Sequence, residues 1–255
     1  MTESTLLEAV NEVAQIAGGV ALSYFGKGPA VEQKADGSPV TIADRLAEDA
    51  AREWIERRYP KDGVVGEERG ETKPDARRRW IIDPIDGTKS FIHGVPLWGT
   101  LVALCEGETV LAGAAAFPAL GETVIAATGA GAWWNGTRCR VSSVASVSEA
   151  LVLTTGFQFK AAPGLLPHWN RLVERAALGR TWGDCYGYML VATGRAEVMV
   201  DPKMSAWDAA AVLPIITEAG GTFTDWTGRE TAFGGNAIAT NRALGNEARE
   251  LLGIR

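Results

Sequence analysis

The chain is expected to fold as an α+β half joined to an α/β half, on three observations. Two helical periodicities open the sequence, over residues 3–25 and from Thr41 to Pro60. Short β-branched runs broken by Gly, Pro or acidic turns then fill residues 64–127. From about residue 145, strand and helix patterns alternate to the end. The boundary therefore falls between residues 1–145 and 146–255. No Pro/Ser/Gly-rich linker separates the halves, so they are expected to share an interface rather than swing freely.

Leu6, Leu7, Val10, Val13, Ala14, Ala17 and Ala21 recur at helical spacing and predict the first helix. Lys34 to Val40 has turn chemistry and no periodicity, which predicts a loop. Thr41 caps a second helix, with Asp44 three residues on and Leu46, Ala50, Trp54 and Ile55 along it. Strands are expected at 64–65, 79–83, 99–106, 109–117 and 122–127, and Asn135-Gly136 makes a hairpin turn. The second half reads as strand 151–155, helix 165–178, strand 180–182, helix 186–194, strand 196–200 and helix 207–219. Strands near 222–225 and 237–240 and a helix from 242 complete it.

Composition narrows the function. The 255 residues are 46% hydrophobic and 22% charged, ordinary for a globular chain and wrong for disorder. A net charge of −6 opposes nucleic-acid binding through bulk positive field. The apolar stretches at 101–105 and 110–117 are too short to span a bilayer. Met1-Thr2-Glu3 has neither basic n-region nor h-region, so a cytoplasmic enzyme without a signal peptide is expected. Cys105, Cys139 and Cys185 form no CxxC pair, which excludes a disulfide framework and a Cys₄ zinc site. With only His93 and His168, a His-rich zinc site is unsupported as well.

The most informative segment runs from Trp80 to Phe91. A β-branched run delivers Asp83 at a strand end, Pro84 fixes the chain, Gly87 permits a tight turn, and Thr88 opens a helix. Asp83 and Asp86 at that strand end can hold a hard cation beside a phosphate. The N–H groups of Gly87 and Thr88 and the helix dipole favour the anion. Oxygen-only ligands suit Mg²⁺. An EF-hand loop is excluded, because Pro84 and Ile85 break its pattern. The Asp-x-Asp-x-Thr phosphatases carry their second Asp one residue earlier than here, which counts against a phosphoaspartate.

Asp83-Pro-Ile-Asp-Gly-Thr88 resembles the first motif of the inositol monophosphatase superfamily of metal-dependent phosphatases. Gly66-Glu67-Glu68 lies upstream as in that family, and Trp207-Asp208, followed by Glu218-Ala-Gly-Gly221, resembles its second motif. The resemblance spans essentially the whole chain and implies a layered αβαβα sugar-phosphatase fold. It implies two or three Mg²⁺ ions, held by Glu67, Asp83, Asp86, Asp208 and the Ile85 carbonyl. By the same resemblance Thr88 and Glu67 orient the attacking water and Asp44 belongs to an outer metal site. Lys34 would sit on a mobile loop near the phosphate, and the protein would be a homodimer. One departure stands out: Lys89-Ser90-Phe91 replaces the x-Asn-Phe that follows Asp-Gly-Thr in many members.

Trp182 to Tyr188, Val191 to Arg195 and Val200-Asp201-Pro202 resemble the branch of the family that hydrolyses histidinol phosphate. Asp201 lies seven residues before Asp208, at a family position that contacts the alcohol part of the substrate, and Asp184 starts a helix on the same side. Two extra carboxylates suit a substrate with an ammonium and an imidazole. The alternatives are inositol phosphate, fructose bisphosphate and nucleotide 3′-phosphates as substrates, or a non-catalytic regulatory binder of the same family. Cys185 is expected to be a small buried residue, His93 to pack near the site, and His168 to be solvated. The tryptophans, Trp98, Trp133 and Trp134 among them, read as core or subunit-interface residues. Arg77-Arg78-Arg79 reads as a short solvated run rather than a nucleic-acid patch.

Overall fold

The structure is a computed structural model that describes residues 2–254. The helix α1 (Glu3–Leu22) is followed by β1 (Val31–Gln33), β2 (Pro39–Thr41) and α2 (Ile42–Arg58). Next come β3 (Gly63–Gly66), β4 (Gly70–Thr72), β5 (Arg78–Asp86) and the short α3 (Thr88–Ile92). The meander β6 (Gly99–Glu106), β7 (Thr109–Phe117), β8 (Glu122–Ala127), β9 (Gly131–Trp134) and β10 (Thr137–Arg138) completes the first half. The second half runs β11 (Leu151–Leu153), α4 (Leu166–Arg175), β12 (Leu178–Arg180), α5 (Asp184–Ala192) and β13 (Val198–Asp201). It ends with α6 (Ala206–Ala209), α7 (Val212–Glu218), β14 (Thr222–Thr224), β15 (Ala237–Thr240) and α8 (Gly245–Leu252).

Eight strands form one sheet in the order β10-β9-β8-β7-β6-β5-β3-β4, antiparallel except between β3 and β5. A second sheet has the order β12-β11-β13-β15-β14, in which β11 runs parallel to both β12 and β13. The strand period of two sorts side chains between layers. On β5, Ile82 faces α1 and α2, packing with Val13, Ala17 and Ala47. Its neighbour Ile81 faces the opposite way, into a core shared with Tyr188 and Val191 of α5 and Ile215 of α7. That middle core also takes Met199 and Ala239 from the small sheet. The other face of the small sheet, with Val152, Val198 and Ile238, is covered by Leu172 of α4 and Leu251 of α8. The layers are therefore α, β, α, β, α, as the resemblance implied. Each fully buried Ile, Leu or Val in them contributes roughly 1.5–3 kcal/mol of hydrophobic stabilisation.

Several boundaries differ from the sequence expectation, each for a physical reason. The segment around Lys34 is the tip of a two-stranded ribbon: Val31 pairs with Thr41 and Gln33 with Pro39. All three residues of β1 are exposed, and so are those of β4, so neither strand carries an apolar alternation. The expected helix 207–219 is two helices. Pro214 has no N–H for the Ala210 carbonyl, and the helix breaks at residues 210–211. The strand expected at 180–182 lies at Leu178–Arg180, in register with Leu151–Leu153. The first helix stops at Leu22, where Ser23 N–H already bonds both Gly19 and Val20 carbonyls. The last helix starts at Gly245 rather than 242, because the Asn241 side chain accepts from Leu244 N–H before it. Asn135 and Gly136 both have positive φ, and Trp134 pairs with Thr137 across them as the hairpin reading requires.

No helix among the described residues is long and apolar enough to cross a membrane. Trp98 is buried, 4.9 Å from the Phe91 ring in an edge contact that anchors α3. The Arg77–Arg79 run is paired with carboxylates: Arg77 with Glu106, Arg78 with Asp62 and Arg79 with Glu71.

Candidate active site

The expected strand-turn-helix at Asp83–Thr88 is present and is built by one irregularity. The pairing of β5 with β6 shifts register between Asp83 and Asp86, where Pro84 lacks the N–H a ladder needs. The Thr100 hydroxyl donates to the Pro84 carbonyl at 2.8 Å and holds the bulge. Asp83 Oδ1 accepts from Ile85 N–H at 3.0 Å. Gly87 has φ +87°, and a Cβ there would sit 3.2 Å from Asp184 Oδ2, so the turn needs glycine twice over. Asp208 arrives from α6, where its Oδ2 accepts from Ser205 N–H at 2.7 Å as the third residue of a capping box. One oxygen of each of Asp83, Asp86 and Asp208 lies within 4.8 Å of the others.

Burial raises all three carboxyls. Asp83 is 2% exposed and is held well above the usual range by burial and then by the charges of Glu67, Asp86 and Asp208. Asp86 is raised by burial and by Asp184 and Asp208, against a 2.5 Å hydrogen bond from Cys185 N–H. Asp208 is pushed up to about 6, by burial first and by Glu67 among its neighbours. Crowded oxygen-only donors of this kind fit a hard divalent cation, whose charge removes the mutual repulsion.

A pH dependence follows. A carboxyl whose folded pKa exceeds its unfolded value of about 4 binds more protons folded than unfolded, so stability falls as pH rises through that window. Asp184 at about 6 and Asp201 at about 7 add to Asp208 in the same direction. Each pKa unit is worth about 1.4 kcal/mol. Chelator-treated protein is therefore expected to melt several degrees higher at about pH 5.5 than at about pH 8. Saturating divalent cation should reduce that difference; scanning calorimetry at the two pH values reads it. Higher melting of the stripped protein at the alkaline value would contradict the assignment.

The flank of the cluster is set by α2. Asp44, Glu48 and Arg52, spaced by four, run as a polar stripe beside the buried Ala43, Ala47 and Ala51. Asp44 Oδ2 accepts from the Thr41 backbone N–H at 2.8 Å and from the Thr41 hydroxyl at 2.7 Å. The Thr88 hydroxyl donates to the Ile85 carbonyl at 3.0 Å and lies 3.4 Å from Asp44 Oδ1. Glu48 was missed from the sequence. It is fully buried, accepts from the N–H groups of Glu68 (2.7 Å) and Arg69 (3.1 Å), and pairs with Arg52. It thereby fixes the turn that presents Glu67. The signal was the stripe itself, a carboxylate one turn beyond Asp44 on a face otherwise made of alanines. Lys34 reaches from the ribbon tip to Glu67 (2.7 Å) and Glu68 (2.5 Å).

A cavity of about 330 Å³ extends from Asp86 and Asp208 to Asp184 and Asp201, with Lys89 and Lys203 also on its wall. Asp184 is the first residue of α5, and burial raises its carboxyl to about 6 against the pull of Lys89. Burial raises Asp201 to about 7. Asp201 Oδ1 accepts from Thr155 N–H at 3.1 Å and its Oδ2 from the Tyr188 hydroxyl at 3.0 Å. Cys185 lines the cavity but is 2% exposed, and burial with the adjacent Asp86 holds its thiol well above the usual range, which disarms it as a nucleophile. His93 is exposed, its Nδ1 2.8 Å from the Lys89 carbonyl at the end of α3. His168 is half-buried rather than solvated, packed against Gly253.

The layered fold thus sets an oxygen-only carboxylate cluster that fits a divalent cation beside a cavity large enough for a small molecule. Residues 2–253 match the family model described as the inositol monophosphatase family, and the chain belongs to that family. It is 45% identical to a histidinol-phosphatase of Chlorobaculum parvum, over 97% of this chain and 96% of that protein. A histidinol-phosphatase of Mycobacterium tuberculosis is 39% identical over 85% of each chain. The extragenic suppressor protein suhB of Bartonella henselae superposes with a TM-score of 0.91 at 28% identity, covering 97% of this chain and 98% of that one.

Proposed function

We propose that the chain is a Mg²⁺-dependent phosphatase that converts L-histidinol phosphate and water to L-histidinol and phosphate. The observation that carries the reading is that one cavity runs from Asp86 and Asp208 of the acidic cluster to a second pair of carboxylates, Asp184 and Asp201. Glu67, Asp83, Asp86, Asp208 and the Ile85 carbonyl would hold the cation. Bound there, it supplies Lewis acidity toward the phosphoryl oxygens and neutralises charge on the leaving alkoxide.

The chain's own groups do the rest. Glu67 takes the proton of the attacking water, and Thr88, whose hydroxyl hydrogen goes to Ile85, keeps lone pairs to accept from that water. Glu48 keeps Glu67 in place through the adjoining backbone. The N–H groups of Gly87 and Thr88 face the phosphate. At the far end Asp184 and Asp201 receive the ammonium and imidazole of the substrate. A cation held there lowers both raised carboxyl pKa values toward ionisation, which a neutral polyol cannot do.

Asp184→Asn and Asp201→Asn test the substrate end. A hydrogen bond to a charged group is worth about 1.5–3 kcal/mol, so kcat/KM for histidinol phosphate is expected to fall roughly ten- to over a hundredfold in each variant. Hydrolysis of a neutral phosphomonoester should change little, since the cation ligands are untouched. Equal losses on both substrates would make the two carboxylates structural and remove the support for histidinol phosphate.

A further inference from the structure

We propose that Thr155 is a positioning residue for substrate selectivity, which sets the two cation-binding carboxylates relative to each other; this rests on the reading of Asp184 and Asp201 given above. The two carboxylates come from different elements, Asp184 from the start of α5 and Asp201 from the end of β13. Thr155, two residues beyond the end of β11, joins them. Its backbone N–H donates to Asp201 Oδ1 at 3.1 Å, and its Oγ1 accepts from the Asp184 backbone N–H at 2.9 Å.

Asp184 needs such a restraint. Its φ is +51°, in the left-handed region that a residue with a Cβ enters only at a cost. The hydrogen bond to Thr155 Oγ1 supports that backbone, which aims the carboxylate at the cavity close to Gly87. The approach is tight as well. A Cβ on Gly183 would lie 2.9 Å from both Cβ and Oγ1 of Thr155, so glycine at that position lets the two segments touch. Thr155 therefore acts on the substrate through Asp184, while its N–H holds Asp201 independently.

The two legs can be separated. Thr155→Val keeps the shape and the N–H to Asp201 but removes the acceptor for Asp184; Thr155→Ser keeps both. The readout is the ratio of kcat/KM for histidinol phosphate to that for a neutral phosphomonoester. The Val variant is expected to lower this ratio about tenfold, mainly through a higher KM for histidinol phosphate, and the Ser variant to hold it within about twofold of wild type. A crystal structure of the Val variant reads the positioning without any substrate. Asp184 is expected to leave the left-handed region or to turn its carboxylate away from the cavity. An unchanged Asp184 in that structure, or a Val variant whose ratio equals that of a wild type preferring histidinol phosphate, overturns the proposal. A wild type with no preference for histidinol phosphate overturns the substrate reading instead, and the position of Asp184 in the crystal still decides the role of Thr155.

Discussion

Asp83→Asn is expected to abolish phosphate release while the protein stays folded. The side chain keeps its volume, and an amide oxygen can still accept from Ile85 N–H, so the turn after β5 survives. What disappears is a buried negative charge aimed at the place where Asp86 and Asp208 converge. Losing a charge that faces a catalytic dication is expected to cost on the order of a thousandfold in kcat. In chelator the same substitution should raise the melting temperature or leave it unchanged, because one of several mutually repelling carboxylates is gone. Opposite signs for activity and stripped-state stability mark a functional residue rather than a structural one. Turnover within tenfold of wild type would remove Asp83 from the cation site.

Glu67→Gln is the second large effect, and its signature differs. The variant is expected to lose about 10²–10⁴ in kcat, the range set by a general base. It should retain measurable affinity for both cation and substrate, because Asp83, Asp86 and Asp208 remain. Lys34 loses one ionic partner but keeps Glu68 at 2.5 Å, so the ribbon should stay anchored. With direct attack by water, rapid acid quench of wild type or variant yields no acid-labile phosphoenzyme. A trapped phosphoaspartate would replace the direct mechanism with the covalent one that the spacing of Asp83 and Asp86 argues against.

Much of the site was legible because its chemistry is local. Strand, proline, left-handed glycine and helix start follow one another within Asp83–Thr88, and each residue type dictates its own backbone geometry. Thr41 and Asp44 likewise form the capping box their spacing implies. What escaped was carried by contacts between distant segments. Glu48 stands out only as a carboxylate one turn beyond Asp44, and its partners, the N–H groups of Glu68 and Arg69, lie in a turn twenty residues away. Thr155 lies 29 residues before Asp184 and 46 before Asp201, and nothing in its neighbours marks it. The ribbon β1–β2 was hidden because β1 is exposed on both faces and has no apolar period to show, while β2, with Val40 and Thr41 buried, is only three residues long. The break between α6 and α7 was readable from Pro214, but the apolar run on both sides of it outweighed the proline.

Phosphate release measured in parallel from histidinol phosphate, inositol 1-phosphate and fructose 1,6-bisphosphate, each with Mg²⁺ and with excess chelator, tests the central claim most directly. The expected result is turnover of histidinol phosphate at the highest kcat/KM of the three, lost in chelator and restored by Mg²⁺. Preference for inositol phosphate or fructose bisphosphate would contradict the substrate assignment, and undiminished turnover in chelator would contradict the metal-dependent chemistry assigned to Asp83, Asp86 and Asp208.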